Sequence, residues 1–152
     1  LTLSRVYRRV LERRKQILST LAEEIDFTWQ YYTLQKIRFD DRIELTSAID
    51  PALRNWRIPS MSLQTLVENA VKHNCPQSGT ELHVSLGRQG DMLVIKNNRI
   101  YTNQTNDQSI ESYGIGISNL KQRYRLEGEA EPEFVASQDA FEVRLPIIKR
   151  KQ

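Results

Sequence analysis

The sequence predicts an α+β fold in which one sheet carries helices on one of its faces. Segments with apolar residues spaced three and four apart, typical of helices, are mixed with segments whose apolar residues alternate, typical of strands. Helices and strands do not alternate strictly, and two pairs of strands are separated by short turns, which require antiparallel pairing. The 152 residues suffice for one domain with its own core and a short appendage.

The N-terminal part of the chain predicts two helices. The first ends near the charged run "ERRKQ" and has apolar residues at helical spacing: Leu3, Val6, Tyr7, Val10 and Leu11. The second begins at Thr20, whose hydroxyl can accept a hydrogen bond from the backbone of Glu23 in a capping box, and it runs to about Phe39. Its many aromatic and aliphatic residues leave little purely polar surface, so we expect a partner helix or subunit to cover it on more than one side.

The remaining elements are predicted in turn. A half-buried strand with Ile43 and Leu45 on one face is stopped by Pro51, and a helix follows Pro59. The segments "ELHVSL" and "MLVIKN" flank the turn "GRQGD" as a hairpin. The polar stretch 99–113 is a loop of a length that indicates either function or disorder. A helix after "GIG" and two short strands around residues 138–139 complete the chain.

Composition narrows the class of protein. Hydrophobic residues make up 39% and charged residues 27% of the chain, which is typical of globular domains. No apolar run approaches the roughly 20 residues that span a bilayer, and the first residues lack the core of a signal peptide. The single cysteine, Cys75, excludes an internal disulfide and fits a reducing compartment. The net charge of +3 is mild and its basic residues lack interleaved stacking aromatics, so we expect no nucleic-acid partner.

The segment "LVENAVKHN" places unusual polar residues on an amphipathic helix. The core-facing stripe consists of Leu63, Leu66, Val67, Ala70 and Val71. Asn69, Lys72 and His73 share the neighbouring sector with Thr65, and Glu68 lies just beyond Lys72. An amide there can offer its oxygen to Mg²⁺ while an ammonium beside it attracts phosphate. A merely solvated helix shoulder is the alternative.

A second polar segment, "GIGISN", includes Gly114, Ile115, Gly116 and Asn119. It predicts two glycines directly before a helix, where unpaired N–H groups and the positive end of the helix dipole attract anions. The segment lacks both the Lys-Ser/Thr pair of a P-loop and the third glycine of a dinucleotide fingerprint. An ordinary glycine turn therefore remains an alternative.

Taken in order, "IPSMSLQTLVENAVKHN", "LVIKNN", "GIGISNLKQRYRL" and "FEVRLP" resemble the ATP-binding domain of sensor histidine kinases, in particular the LytS/YehU-type family. Upstream, "LSRVYRRVL" and "TLAEEIDFTWQYYTLQKIRFDDRIEL" are similar to the end of that family's dimerisation region and its connecting helix. The resemblance implies a two-layer ATP-binding sandwich of the histidine-kinase/gyrase type, with a mixed, largely antiparallel sheet, preceded by N-terminal helices. Residues 1–39 would be the helical remnant and residues 40–152 the ATP-binding catalytic domain.

The resemblance also implies roles for individual residues. Asn69 would coordinate Mg²⁺ that bridges the ATP phosphates, and Glu68 matches the same catalytic motif. The positions implied to bind ATP are Asn69, Lys72, His73, Asn97, Gly114, Ile115, Gly116 and Asn119. The segment 99–113 would be a lid over the nucleotide.

Three departures from the family pattern qualify this reading. Asn97 replaces the aspartate that reads adenine and the following glycines are absent, so the site should bind ATP less strongly or select the base less strictly. Thr65 occupies the position of the water-activating glutamate of the gyrase and chaperone branches, which favours phosphoryl transfer over hydrolysis. The Pro-His-Phe sequence of the phosphoacceptor is absent, so the acceptor histidine is expected upstream of this chain.

The resemblance thus implies a protein-histidine kinase domain that uses ATP and Mg²⁺. Its expected partners are the upstream phosphoacceptor helix of the same kinase, a response regulator, and a second copy in a homodimer of the full-length protein. We expect it to be the cytoplasmic domain of an inner-membrane protein. The alternatives are a nucleotide-binding regulatory module without transfer activity and, with little support in the sequence, a basic nucleic-acid module.

Overall fold

The computed structural model describes residues 3–13, 17–100 and 114–149. In chain order the elements are α1 (Leu3–Arg13), β1 (Leu18–Thr20), α2 (Leu21–Arg38), β2 (Ile43–Ser47), a 3₁₀ turn (Pro51–Leu53), β3 (Arg57–Pro59), α3 (Ser62–Asn74), β4 (Leu82–Gln89), β5 (Met92–Asn98), α4 (Gly114–Leu126), β6 (Glu133–Ala136) and β7 (Ala140–Pro146). β1 and β3 form a small two-stranded sheet, and the main sheet has the order β2-β4-β5-β7-β6.

The main sheet is mixed and largely antiparallel, as predicted. β4 and β5 form the expected hairpin, with Gln89 paired to Met92, and β7 pairs antiparallel with both β5 and β6. β2 is the exception, because it pairs parallel to β4 with Ile43 opposite Leu82. A parallel pair requires a long crossover connection, and here the crossover contains α3.

One face of the main sheet forms the core of the fold. Alternate residues of the central strands are buried on this face: Leu82, Val84, Leu86, Leu93, Ile95, Asn97, Phe141, Val143 and Leu145. α3 contacts β4 and β5, and α2 contacts both β2 and α3. Leu120 and Tyr124 of α4 belong to the same apolar cluster. The helices therefore supply the second layer of a two-layer sandwich.

The predicted cap of α2 is confirmed. The hydroxyl of Thr20 accepts a hydrogen bond from the backbone N–H of Glu23 at 3.2 Å. Phe27 and Tyr32 are buried, whereas Ile37 is 74% exposed. Part of the apolar surface of α2 thus remains open in the single chain.

Two features of the architecture differ from the sequence prediction. β1 and β3 were not predicted, because segments of three residues are too short to show an alternating pattern. The prediction that both glycines precede the last helix is wrong, since α4 begins at Gly114 and includes Gly116 in its first turn. Glycine weakens a helix mainly in its interior, through the backbone entropy lost on folding, so a glycine in the first turn is compatible with a helix that begins at Gly114.

Candidate functional site

The polar shoulder of α3 has the arrangement predicted from the helical pattern. The stripe residues Leu63, Leu66, Val67, Ala70 and Val71 are all buried against the sheet layer. Beside the stripe, Asn69 and His73 are half-buried, and Glu68 and Lys72 are exposed. The shoulder therefore presents an amide and an imidazole close to the core and two charged groups toward solvent.

The N-terminal turn of α4 lies directly against this shoulder. A Cβ atom placed on Gly116 would lie 3.1 Å from Nδ2 of Asn69 and 3.9 Å from Cγ2 of Thr65. Further along α4, Arg123 donates a hydrogen bond to the carbonyl of Ser60, which precedes α3. α3 and α4 therefore run antiparallel. The unpaired N–H groups at the start of α4 are placed near Asn69, where they can bind an anion.

The positive charge of the α3 shoulder comes from Lys72 and not from His73. The pKa of His73 is lowered below its ordinary value, mainly by burial and also by the charge of Lys72. His73 is therefore neutral at pH 7 and can either donate or accept a hydrogen bond. On the α2 side, burial and the nearby carboxylate of Glu68 raise the pKa of Tyr31 to about 12.

Asn97 has a fixed orientation at the end of β5. It lies on the buried face of the sheet and is 4% exposed. Its Nδ2 donates a hydrogen bond of 2.8 Å to the carbonyl of Asn98, and within the described residues its Oδ1 accepts none. The side chain therefore offers an acceptor rather than a donor to any neighbouring ligand.

Two further asparagines that were not predicted hold this end of the fold together. Asn74 is 3% exposed; its Nδ2 donates to the carbonyl of Ala70 at 2.7 Å, and its Oδ1 accepts from the N–H of Ile100 at 2.9 Å. Asn98 accepts from the N–H of His83 at 2.7 Å and donates to the carbonyl of Glu81 at 2.9 Å. Helical spacing continues the stripe of α3 to Asn74, a signal that could have revealed its burial.

The other predicted site residues lie on α4 and in the predicted lid, and the structure describes only some of their side chains. Asn119 follows Gly116 on α4, but its side chain is exposed. Gly114 begins the helix, and the side chain of Ile115 lies outside the described residues, as does the predicted lid from residue 101 onward. Gly116 and Asn69 are thus the pair that the structure brings into contact.

The donor set fits Mg²⁺ only in the presence of a phosphate ligand. Within the described ranges no group of three or more His, Cys, Asp or Glu side chains is placed to hold a metal ion. Asn69 supplies one neutral oxygen donor, and Mg²⁺ is commonly held by few protein groups together with waters and substrate phosphates. The site is therefore suited to a metal that arrives with a nucleotide.

Comparison of the sequence with known proteins finds histidine kinases among its matches. A profile described as "Histidine kinase" matches residues 1–43. The sensor histidine kinase BtsS of Escherichia coli (strain K12) is 31% identical over 128 residues, a match that covers 81% of this chain and 22% of BtsS. The chain thus spans about a fifth of the length of this relative.

Two solved kinases share the architecture. The cytoplasmic segment of histidine kinase QseC matches with a TM-score of 0.53 at 16% identity, covering 97% of this chain and 93% of that one. The catalytic domain of histidine kinase ThkA matches with a TM-score of 0.51 at 13% identity, covering 88% of this chain and 97% of that one. ThkA is also solved in complex with its response regulator, TrrA; that match has a TM-score of 0.50 at 12% identity and covers 95% of this chain and 47% of that one. The predicted sandwich fold is thereby confirmed.

Proposed function

Because the chain belongs to the histidine kinase family, we propose that it binds ATP and transfers the γ-phosphoryl group to a histidine outside this sequence. The observation that carries the proposal is the contact between Gly116 and Asn69. It joins the anion-binding start of α4 to the amide shoulder of α3, which gives phosphate and its metal a common site.

Three residues of α3 would bind the phosphates and their metal, each in a different way. Asn69 would offer its amide oxygen to Mg²⁺, and Lys72 adds a positive charge one turn further along the same sector. His73, neutral at pH 7, would line the site as a hydrogen-bonding wall. When bound, Mg²⁺ supplies neutralisation of the charge on the phosphates. Phosphoryl transfer relies mainly on such positioning and charge stabilisation.

Asn97 would read the adenine base. Because its Nδ2 is held by the carbonyl of Asn98, its Oδ1 is the atom that can accept a hydrogen bond from the exocyclic amino group of adenine. A neutral amide is a weaker acceptor than the carboxylate it replaces. We therefore expect modest affinity with the base preference retained.

Three residues favour transfer to a separate acceptor. Thr65, which faces Gly116, carries no carboxylate to activate water. Both histidines of the chain are committed elsewhere: His73 lines the site, and His83 lies exposed on the opposite face of the sheet near Glu44, 3.2 Å away. The acceptor histidine is therefore expected in the upstream helix of the same kinase.

The proposed assembly follows from the rest of the molecule. We assign residues 1–39 to a dimerisation and connecting region and residues 40–152 to the ATP-binding catalytic domain. Leu3 and Tyr7 of α1 are 60% and 62% exposed one helical turn apart, which would suit a helical homodimer in the full-length protein. A response regulator would receive the phosphoryl group.

The proposed location is the cytoplasmic side of an inner-membrane protein. It is supported by the match to QseC, of which the similar part is a cytoplasmic segment. None of the described helices is long and apolar enough to span a membrane.

Calorimetry with Mg-ATP tests nucleotide binding. We expect binding to the wild-type chain and at least tenfold weaker binding to Asn69→Ala, with unchanged binding to the control Asn55→Ala in an exposed turn. No binding to the wild type at millimolar nucleotide would refute the proposal. Transfer is tested by adding the upstream helix in trans with γ-labelled ATP and measuring acid-labile label on that helix.

A regulatory module without transfer activity is the second candidate. It is favoured by Asn97 and by the absence of the glycines that normally follow this position. A well-folded pair that binds Mg-ATP but leaves the supplied helix unlabelled would decide for this module.

A further inference from the structure

A buried carboxylate of α2 holds the start of α3. Glu24 has no exposed surface, and its Oε1 accepts a hydrogen bond of 2.8 Å from the backbone N–H of Met61, the residue that precedes α3. Met61 has φ +70° and ψ 5°, in the left-handed region that non-glycine residues rarely adopt, and its own side chain makes no capping hydrogen bond. The negative charge from α2 thus stabilises a strained backbone at the positive end of α3.

Hydrogen bonds from α4 also reach the segment that precedes α3. Arg123 donates from Nη1 to the carbonyl of Ser60 and from Nη2 to the carbonyl of Ile17 at 3.4 Å. Burial lowers the pKa of Arg123, and the nearby carboxylate of Glu24 opposes this effect. A buried hydrogen bond of 2.6 Å joins the hydroxyls of Ser19 and Ser60. Segments on both sides of α2, the start of α3 and the later half of α4 therefore meet at one polar cluster.

The polar cluster lies at one end of the α3–α4 pair, and the proposed phosphate site lies at the other end. Gly116 precedes Arg123 by about two turns, roughly 10 Å along α4, and Asn69 follows Met61 by roughly 12 Å along α3. Gly116 and Asn69 are in contact. The two antiparallel helices thus form a pair that is fixed to α2 at one end and open to the nucleotide at the other.

We propose that Glu24 and Arg123 are positioning residues that couple nucleotide binding between α3 and α4 to the connecting helix α2. The inference rests on the proposed nucleotide site. Neither residue is placed to touch the ligand. Together they fix the separation and tilt of α3 and α4. A change in this tilt when nucleotide binds is passed to α2. The two charged groups are suited to this role because each one bonds to a backbone group beside the start of α3: Glu24 to the N–H of Met61 and Arg123 to the carbonyl of Ser60.

Glu24→Gln tests the coupling with little change of shape. The amide keeps an oxygen that can accept from Met61, loses the charge and replaces the second oxygen by an NH2 group of similar size. We expect Mg-ATP to bind roughly five- to tenfold more weakly than to the wild type, within the usual range of coupling between sites. In the wild-type chain, Mg-ATP should slow amide hydrogen exchange in residues 21–27 of α2. This slowing should be lost in the variant.

The matched control is Arg125→Gln on the same helix, which removes an exposed ion pair with Glu131. It should leave both readouts at wild-type values. If Glu24→Gln does not fold by circular dichroism, Arg123→Lys takes its place, since lysine keeps the charge but cannot donate to two carbonyls in the same geometry.

The results of these experiments distinguish a failure of the coupling from a failure of the proposed function. Failure of the wild-type chain to bind Mg-ATP would contradict the proposed function itself. If the wild type binds but exchange in α2 does not respond, the coupling is refuted. A purely structural role is also distinguishable, because it would lower the melting temperature of the variant while its nucleotide-dependent exchange difference persisted.

Discussion

At position 116 the chain has room for a hydrogen atom and little more. A methyl group there would lie 3.1 Å from the amide nitrogen of Asn69, which is closer than most Cβ contacts. The backbone at Gly116 is helical, so the restriction comes from its neighbour rather than from an unusual φ. The phosphate site therefore depends on the absence of a side chain in α4 as much as on the presence of one in α3.

Gly116→Ala should weaken Mg-ATP binding while leaving the fold intact. The added methyl group displaces the Asn69 side chain from its preferred rotamer at a cost of about 0.5–1.5 kcal/mol, which corresponds to roughly two- to tenfold in Kd. Alanine also favours the helix, so the melting temperature should not fall appreciably. Titration calorimetry and thermal unfolding measure the two effects. Gly87→Ala in β4 is the control, because its added Cβ would meet no atom within 4 Å.

The ring of His73 should titrate below the ordinary pKa of 6.5. Its burial disfavours the charged form in the folded state, so the unfolded chain binds the proton first as pH falls. The contribution of His73 to the free energy of unfolding is thus fully present above pH 6.5 and is lost as pH falls from there through the lower, folded pKa. An NMR titration of His83→Gln, in which His73 is the single remaining histidine, measures that pKa. A midpoint at or above 6.5 would contradict the structure.

The polar residues of the site were predictable to different degrees. Asn69 and His73 were found because helical spacing separates them from the buried stripe beside them. The orientation of Asn97 was not predictable, since its direction depends on a hydrogen bond to the next peptide group. Asn74 was missed because its partner, Ile100, lies 26 residues away in sequence, and no local pattern reveals such a contact.

At the scale of elements, the end of α3 and the end of β5 are joined through one side chain. Asn74 satisfies a carbonyl of its own helix and the N–H of Ile100 beyond β5. Because both partners are backbone groups, removing the amide leaves polar atoms of two elements without their hydrogen bonds.

Asn74→Ala should therefore lower the free energy of unfolding by about 1–3 kcal/mol, the usual cost of leaving buried polar groups unpaired. Urea unfolding followed by circular dichroism measures the change. The exposed Asn55→Ala serves as the reference and should differ from wild type by less than about 0.5 kcal/mol. A similar loss in both variants would show that the bridge contributes little.

Among the secondary-structure elements, the short strands β1 and β3 could not be predicted from the sequence. The hairpin of β4 and β5 and the capped start of α2 follow from local signals, namely a turn between alternating segments and a Thr-x-x-Glu pattern. The β1–β3 pair joins residues about 40 positions apart, such as Leu18 and Pro59, through tertiary proximity alone. Its existence depends on where α2 lies, which no three-residue pattern encodes.

For the whole molecule, the sequence predicted the two layers correctly, because alternating strands and amphipathic helices specify which faces must be buried together. It did not predict that β2 pairs parallel to β4. Both orientations would bury Ile43 and Leu45 equally well, so the hydrophobic pattern cannot distinguish them.

The proposed homodimer predicts that the exposed apolar residues of α1 contribute to self-association. Tyr7→Glu should weaken the dimer roughly tenfold or more, since it replaces about 1.5–3 kcal/mol of apolar burial by a charge. Sedimentation equilibrium of the full-length protein over a range of concentrations measures the dissociation constant. Arg8→Glu, which changes a neighbouring exposed residue, is the control. Equal dissociation constants for Tyr7→Glu and the full-length wild type would contradict the prediction.

The parallel pairing of β2 has a consequence for the order of folding. β2 is an edge strand of the main sheet, and its partner residues, from Leu82 to Leu86, follow it by 39 positions. During synthesis the strand emerges from the ribosome well before β4, and its backbone groups remain without their partners until the crossover has closed. A nascent or truncated chain ending before β4 would expose an unpaired strand edge next to an apolar helix, which is a recognised route to aggregation. Soluble expression of shortened forms is therefore expected only when β4 is retained.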